Sequence, residues 1–244
     1  MILIPARLAS SRFPRKILQE IAGVPMIIRV AKRALEVDEV VVACDSEEVM
    51  ELCARHKIRS LLTSKSHQSG TDRIAEAARI LGLANDEIII NLQGDEPFIE
   101  ADVIRTLQKS MQEAQKSPRP PFMASLYRLI SREESQDPNL VKVVLSHDSR
   151  ALYFSRASIP YLRDSLGEDK IEYYGHLGLY AYTQASLQHF CTLAPSMLEI
   201  SEKLEQLRAL SNGKDILMTR VQTRSFGIDT PQDLSRALEV FGKA

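Results

Sequence analysis

The run Ile88-Ile89-Ile90-Asn91-Leu92 ends abruptly in Gln93-Gly94-Asp95-Glu96-Pro97. It is short, rich in β-branched residues and lacks polar alternation, so it reads as a strand buried on both faces. A chain with such a strand must cover both sides of its sheet. Gly94 lets the backbone turn sharply, and Pro97 cannot continue the ladder. Asp95 and Glu96 then sit just past the carboxyl end of a central strand, the edge where open α/β sheets bind ligands. Two uses suit that turn: a hard-metal ligand beside a phosphate site, or a solvated acidic turn.

The covering elements can be read along the chain. Residues 1–4 and 40–44 form further apolar strands, with a short one near Leu61-Leu62. Pro25 opens a helix whose buried stripe is Ile27, Val30, Ala31, Ala34 and Leu35. Other helices run through Val49, Leu52 and Cys53, through Ile74, Ala77, Ala78 and Leu81, and over 101–114. This alternation means βαβ units and a mainly parallel sheet. The second half changes character, with strands expected at 123–130, 140–145, 151–156 and 175–182, the last with pockets at its glycines. Leu198, Ile200, Leu204, Leu207 and Leu210 are core candidates of a helical pair, and 216–221 is a late strand. Thr230 fits an N-cap and Pro231 the first position of a final helix, with Leu234, Ala237, Leu238 and Phe241 as its stripe.

The 244 residues suffice for one large domain or two small ones, and for a sizeable core without disulfides. A net charge of −1 offers no bulk attraction to nucleic acid or anionic membrane. Cys44, Cys53 and Cys191 are odd in number and scattered, which argues against a disulfide framework or zinc site. The first apolar segment is too short for a signal peptide or membrane span. The simplest expectation is a cytoplasmic globule.

Chemistry concentrates after the first strand. Residues 5–16, Pro-Ala-Arg-Leu-Ala-Ser-Ser-Arg-Phe-Pro-Arg-Lys, crowd four cations and two serines into one loop on the ligand edge. Arg by forked hydrogen bonds and Lys as a point charge can clamp a triphosphate. The loop is neither a P-loop nor a dinucleotide fingerprint; a solvated basic loop is the plainer alternative. Asp45-Ser46 reads as a helix cap or a ligand contact. Ser69 and Asp72 have capping-box spacing, and amides at that helix start could hold a base edge or a phosphate. With Thr230 capping the last helix, Asp229 is left for other work. Asp95 and Asp229 could share one Mg²⁺, which takes one or two carboxylates and completes its shell with water and phosphate oxygens. No covalent nucleophile is patterned. An in-line displacement at phosphorus, needing charge neutralisation and alignment, suits these parts.

Residues 4–16 resemble the nucleotide-binding signature of sugar-nucleotide synthetases. With 67–73, 91–97, 139–145, 151–160, 176–182, 204–208 and 227–234, they resemble, in order and over nearly the whole chain, the 3-deoxy-manno-octulosonate (Kdo) cytidylyltransferases. The resemblance implies a Rossmann-like α/β sheet of the nucleotide-diphospho-sugar transferase type, with an added strand-and-helix region forming the sugar pocket. It implies one nucleotidyltransferase domain over 1–244. Residues 1–120 would mainly bind CTP, 121–226 the sugar and a second subunit, and 227–244 would return to the metal site. CMP would pass from CTP to the anomeric 2-hydroxyl of Kdo, releasing pyrophosphate for lipopolysaccharide synthesis.

By the same resemblance, Arg7, Lys16, Asp95 and Asp229 are catalytic, Asp95 and Asp229 being the Mg²⁺ ligands. Ala6, Arg7, Arg12, Lys16, Ser69 and Gln93 bind CTP. Arg156, His176, Tyr180, Glu205 and Gln206 bind the sugar, Arg156 pairing with its carboxylate. A homodimer is implied, without nucleic-acid or membrane partners. The chain departs from the family pattern at Arg15, where Gly usually precedes the Lys, and at Asp72, Gly175, Leu179 and Ala181. Those near the acceptor side leave a related acid sugar such as 8-amino-Kdo open. The Arg156, His176 and Glu205-Gln206 blocks argue against sialic acid or methylerythritol phosphate as acceptor. A non-catalytic nucleotide-binding protein would not need Asp95, Asp229, Arg7 and Lys16 together.

Overall fold

Alternation along the central strands divides the core. In the computed structural model, which describes residues 1–8, 13–163 and 171–242, Ile2, Ile4 and Ala6 of β1 (Ile2–Ala6) pack in one apolar layer and Leu3 in the other. Val40, Val42 and Cys44 of β4 (Val40–Cys44) join the first layer, Val41 and Ala43 the second. A small antiparallel hairpin, β2 (Glu20–Ile21) and β3 (Val24–Pro25), lies between them in the chain. All five β1 residues pair in parallel with β4, from Ile2 opposite Val40 to Ala6 opposite Cys44. Both faces are dry, and this accounts for the unbroken apolar runs.

The first layer is closed by α1 (Met26–Leu35), α2 (Glu47–Arg55) and α4 (Ala101–Ala114). β5 (Ser60–Leu62) extends the sheet beyond β4, and α3 (Gly70–Ile80) covers the second layer through Ile74, Ala77 and Ala78. β6 (Ile88–Asn91) lies on the other side of β1. Then come β7 (Met123–Ile130), α5 (Arg132–Ser135), β8 (Lys142–Leu145), β9 (Ala151–Ser155) and the long β10 (Tyr173–Thr183). Three short helices follow, α6 (Gln184–Thr192), α7 (Met197–Glu202) and α8 (Leu207–Ser211), before β11 (Ile216–Arg220) and α9 (Pro231–Phe241). The main path of the sheet is β11-β7-β10-β6-β1-β4-β5, with β8 attached to β10 and β9 to β8. Only β9 and β10 run against the shared direction of the other strands of this sheet. The mainly parallel α/β reading therefore holds for a mixed sheet.

Several expectations change. Leu35 is exposed at the last turn of α1, and Leu198 and Ile200 are exposed on α7, while Leu204 and Leu207 are core. The reason is local: α7 has six residues and ends at Lys203 in the left-handed region (φ 54°). The helical period therefore does not carry from 198 to 204. Gly175 opens no pocket, because a Cβ there would lie 2.8 Å from Ile130 Cγ2; its missing side chain makes room for β7. Gly178 does border open space, beside the register shift between β10 and β7.

Candidate active site

The carboxyl ends of β1 and β6, the start of α3 and the segment before α9 meet around a cleft of about 330 Å³. Arg7, Lys16, Ser69, Gln93, Asp95 and Asp229 all line it. Ala6 does not; it is buried at the end of β1, opposite Cys44. Arg12 lies outside the described residues.

Two glycines make the cleft possible through close approach. A Cβ on Gly94 would sit 3.1 Å from the Pro5 carbonyl oxygen and 3.1 Å from Ile27 Cδ1. Its φ is not in the left-handed region, so proximity, rather than a special turn angle, demands glycine. A Cβ on Gly70 would meet Pro5 Cγ at 3.0 Å. Both draw their backbones against the end of β1.

Lys16 stands at the centre. Its Nζ donates to Asp95 Oδ2 at 2.6 Å and to Asp229 Oδ1 at 2.9 Å, the latter 213 positions away in the chain. Burial opposes its charge, but the two carboxylates outweigh burial and raise its pKa above the ordinary value. The Ile228 N–H donates to the Asp95 carbonyl at 2.9 Å, stitching the two turns together. Asp233 then accepts from the Asp229 and Thr230 N–H groups, and Thr230 caps α9 in return. The two carboxylates thus already converge on one cation, the Lys16 ammonium. A pair of hard oxygen donors beside open space fits Mg²⁺, whose remaining shell is water and phosphate. Among the described residues no group of three or more His, Cys, Asp or Glu forms a fuller cage.

The basic loop is pinned at both ends. The Leu8 N–H donates to Asp45 Oδ1 at 3.1 Å, and Asp45 Oδ2 takes a 3.0 Å bond from the buried Arg73. Asp45 is therefore not the cap of α2; Ser46 holds that position without a side-chain bond. Just before Lys16, Arg15 adopts the left-handed conformation (φ 56°) and pairs with Glu48. That backbone geometry is the one glycine takes without steric cost. Of the capping box read at Ser69 and Asp72 one half forms: Ser69 Oγ accepts from the Asp72 N–H at 3.1 Å, while the Asp72 carboxylate takes the Ser69 hydroxyl at 2.9 Å instead of the Ser69 N–H.

The other candidates gather in a second, more buried cluster. The rings of His176 and Tyr180 lie 5.5 Å apart, and Tyr180 donates to Gln206 Oε1 at 3.0 Å. Glu205 accepts from Thr71. The Ser125 hydroxyl donates to the carbonyls of Leu177 and Leu179, so its oxygen receives the His176 Nε2–H at 2.9 Å. Burial pushes the His176 pKa down to about 3. Arg156 stands on its own support. Its guanidinium donates to the Glu202 and Pro138 carbonyls at 2.7 and 2.9 Å. The buried Lys142 ammonium fixes its backbone by a 2.7 Å bond to the Arg156 carbonyl.

Three cleft-side features escape a reading by residue type: His67, paired with Glu76 at 2.5 Å; Arg73, buried against Asp45; and Thr71. Their only signal in the chain was membership of the block 67–73.

A family model described as cytidylyltransferase matches residues 1–216. A 3-deoxy-manno-octulosonate cytidylyltransferase of Wolinella succinogenes is 66% identical over 242 residues, covering 99% of each chain. One from Helicobacter pylori is 52% identical over 242 residues, covering 99% of this chain and 97% of its own. A solved structure of CMP:2-keto-3-deoxy-manno-octonic acid synthetase complexed with CTP is 40% identical, with a TM-score of 0.90 over 99% of this chain and 98% of that one.

Proposed function

The chain belongs to the 3-deoxy-manno-octulosonate cytidylyltransferase family, and we propose that it transfers CMP from CTP to the anomeric 2-hydroxyl of Kdo, releasing pyrophosphate. The single observation that carries this reading is the Lys16 ammonium held between Asp95 and Asp229 in a polar cleft. Such a cleft suits a triphosphate and its metal. Asp95 and Asp229 would hold Mg²⁺, which when bound supplies positive charge to phosphate oxygens and lowers the acceptor hydroxyl's pKa.

The chain's own residues then divide the work. Arg7, Lys16 and Arg12 take up charge on the leaving pyrophosphate. Ser69 and Gln93 face the cytidine, and the α3 amides bring partial positive charge to that side. Arg156 is tied to carbonyls rather than to a carboxylate, so its charge remains available for the carboxylate of an acid sugar. His176, Tyr180, Glu205 and Gln206 line the sugar side. A covalent cysteine intermediate is disfavoured: burial pushes the Cys53 and Cys191 thiols up to about 12 and raises Cys44 as well. Direct attack of the sugar hydroxyl on the α-phosphorus is the step these groups support.

The test is a panel of acid sugars, Kdo, 8-amino-Kdo and sialic acid, each run with all four nucleoside triphosphates and read as pyrophosphate release. Release with CTP and Kdo is expected; release with 8-amino-Kdo alone would transfer the proposal to that sugar, and release with none would reject it. The product would feed lipopolysaccharide synthesis in the cytoplasm. A homodimer is part of the proposal. Helix α7 has no buried residue, and Met197 and Ile200, three positions apart on one face, point outward. We assign a second copy of the chain to that face. Light scattering should give a dimer and the Met197→Asp/Ile200→Asp variant a monomer; a monomeric wild type rejects the assignment.

A further inference from the structure

Two consecutive side chains of the second cluster are each held at one end only. Glu205 Oε2 accepts from Thr71 Oγ1 at 2.7 Å, and Gln206 Oε1 accepts from the Tyr180 hydroxyl at 3.0 Å. Their other ends, Glu205 Oε1 and Gln206 Nε2, are buried with no hydrogen-bond partner. Arg208 Nη2 is 3.8 Å from Oε1 and is committed to Glu199, to which its guanidinium donates at 2.9 and 2.6 Å. Bare buried polar atoms are costly unless a ligand or water completes them. The bare carboxylate oxygen can accept from a hydroxyl, and the bare amide can donate to one.

We infer that Thr71 is a positioning residue for the acceptor sugar: its hydroxyl holds the Glu205 carboxyl turned, so that Oε1 is presented to a sugar hydroxyl. This rests on the function proposed above. Thr71 is buried in the first turn of α3, next to Ser69 and Gly70, which line the nucleotide cleft. That turn therefore joins the nucleotide cleft to the second cluster. The bonding has a direction. Thr71 has one hydroxyl hydrogen, and Glu205 takes it. Its oxygen receives a long contact from Asn91 Nδ2 at 3.5 Å, and Asn91 Oδ1 accepts from Gln93 Nε2 at 3.3 Å.

Burial raises the Glu205 pKa, and the Thr71 bond, with the Ser69 hydroxyl nearby, acts against that rise. The groups facing Glu205 are Asp72 of α3, Tyr180 and Tyr182 of β10, Cys191 of α6 and Arg208 of α8. Asp72 raises its pKa further and Arg208 lowers it. A hydrogen bond donated to a carboxylate favours the charged form. Removing the Thr71 hydroxyl must therefore move Glu205 protonation to higher pH.

The experiment compares wild type, Thr71→Val and Thr71→Ser across pH, with CTP and Kdo. Thr71→Val should raise the KM for Kdo about tenfold, the scale of one hydrogen bond to a charged group, while kcat and the KM for CTP stay within about twofold. The acid limb of kcat/KM for Kdo should move to higher pH, and Thr71→Ser should restore both readings. A carbon-13 titration of Glu205 should show the same upward move in Thr71→Val without any turnover. An unmoved acid limb, an unmoved Glu205 titration, or a serine variant that behaves like valine would overturn the inference. Absence of pyrophosphate release by wild type with every acid sugar would instead overturn the proposed function.

Discussion

Burial of His176 in β10 leaves its imidazole neutral, with its Nε2–H on Ser125 and its pKa pushed down to about 3. The unfolded chain titrates that ring near its ordinary value of 6.5. Between those values the unfolded state binds the extra proton and the folded state does not, so stability falls as pH drops below about 6.5. From pH 7 to pH 5 the ring alone should cost about 2 kcal/mol. His176→Gln keeps a donor for Ser125 and cannot titrate. Urea unfolding at the two pH values should therefore show a loss smaller by about that amount in the variant; an equal loss would mean that His176 is not held neutral. Arg15 belongs to the same scale. Its left-handed backbone (φ 56°) is invisible to a reading by charge, which sees only one more cation in the loop. The usual glycine at that position has its physical reason here, and the Glu48 pair is what this chain sets beside Arg15 instead.

At the scale of elements, legibility followed how many residues stated the same period. Val40–Cys44, Ala101–Ala114 and Met123–Ile130 were readable to their ends, because every apolar position agrees and polar or turn residues bound them. Helix α7 was not, because six residues carry less than two full turns of pattern, and the stop at Lys203 depends on a backbone angle. The Thr230–Pro231 start of α9 was legible because capping is a local code. The use of Asp45 was not: its partners Leu8 and Arg73 come from other elements, and a local code names only the helix beside it. The site divides in the same way. Asp95 and Asp229 stood out because each closes an apolar segment at the ligand edge of the sheet. Thr71, His67 and Arg73 act through side-chain pairs that only the tertiary fold assembles.

For the whole molecule, the central fact is convergence from the two ends of the chain. The basic loop follows the first strand, Asp95 follows the fourth strand of the β5-β4-β1-β6 block in chain order, and Asp229 comes from the segment before the last helix. The sheet brings their ends to one edge, and the Ile228–Asp95 backbone bond closes the arrangement. No described helix is long and apolar enough to cross a membrane. Because Asp229 sits outside both apolar layers while its backbone is held by Asp233, its carboxylate should matter to turnover far more than to folding. The most direct test is the turnover of Asp229→Asn at saturating Mg²⁺, CTP and Kdo, with thermal unfolding measured alongside. The account predicts a loss of about 10²-fold or more in turnover, with the unfolding midpoint held within about 4 °C, the shift expected for no more than about 1 kcal/mol in a chain this long. Near-wild-type turnover under those conditions would contradict it.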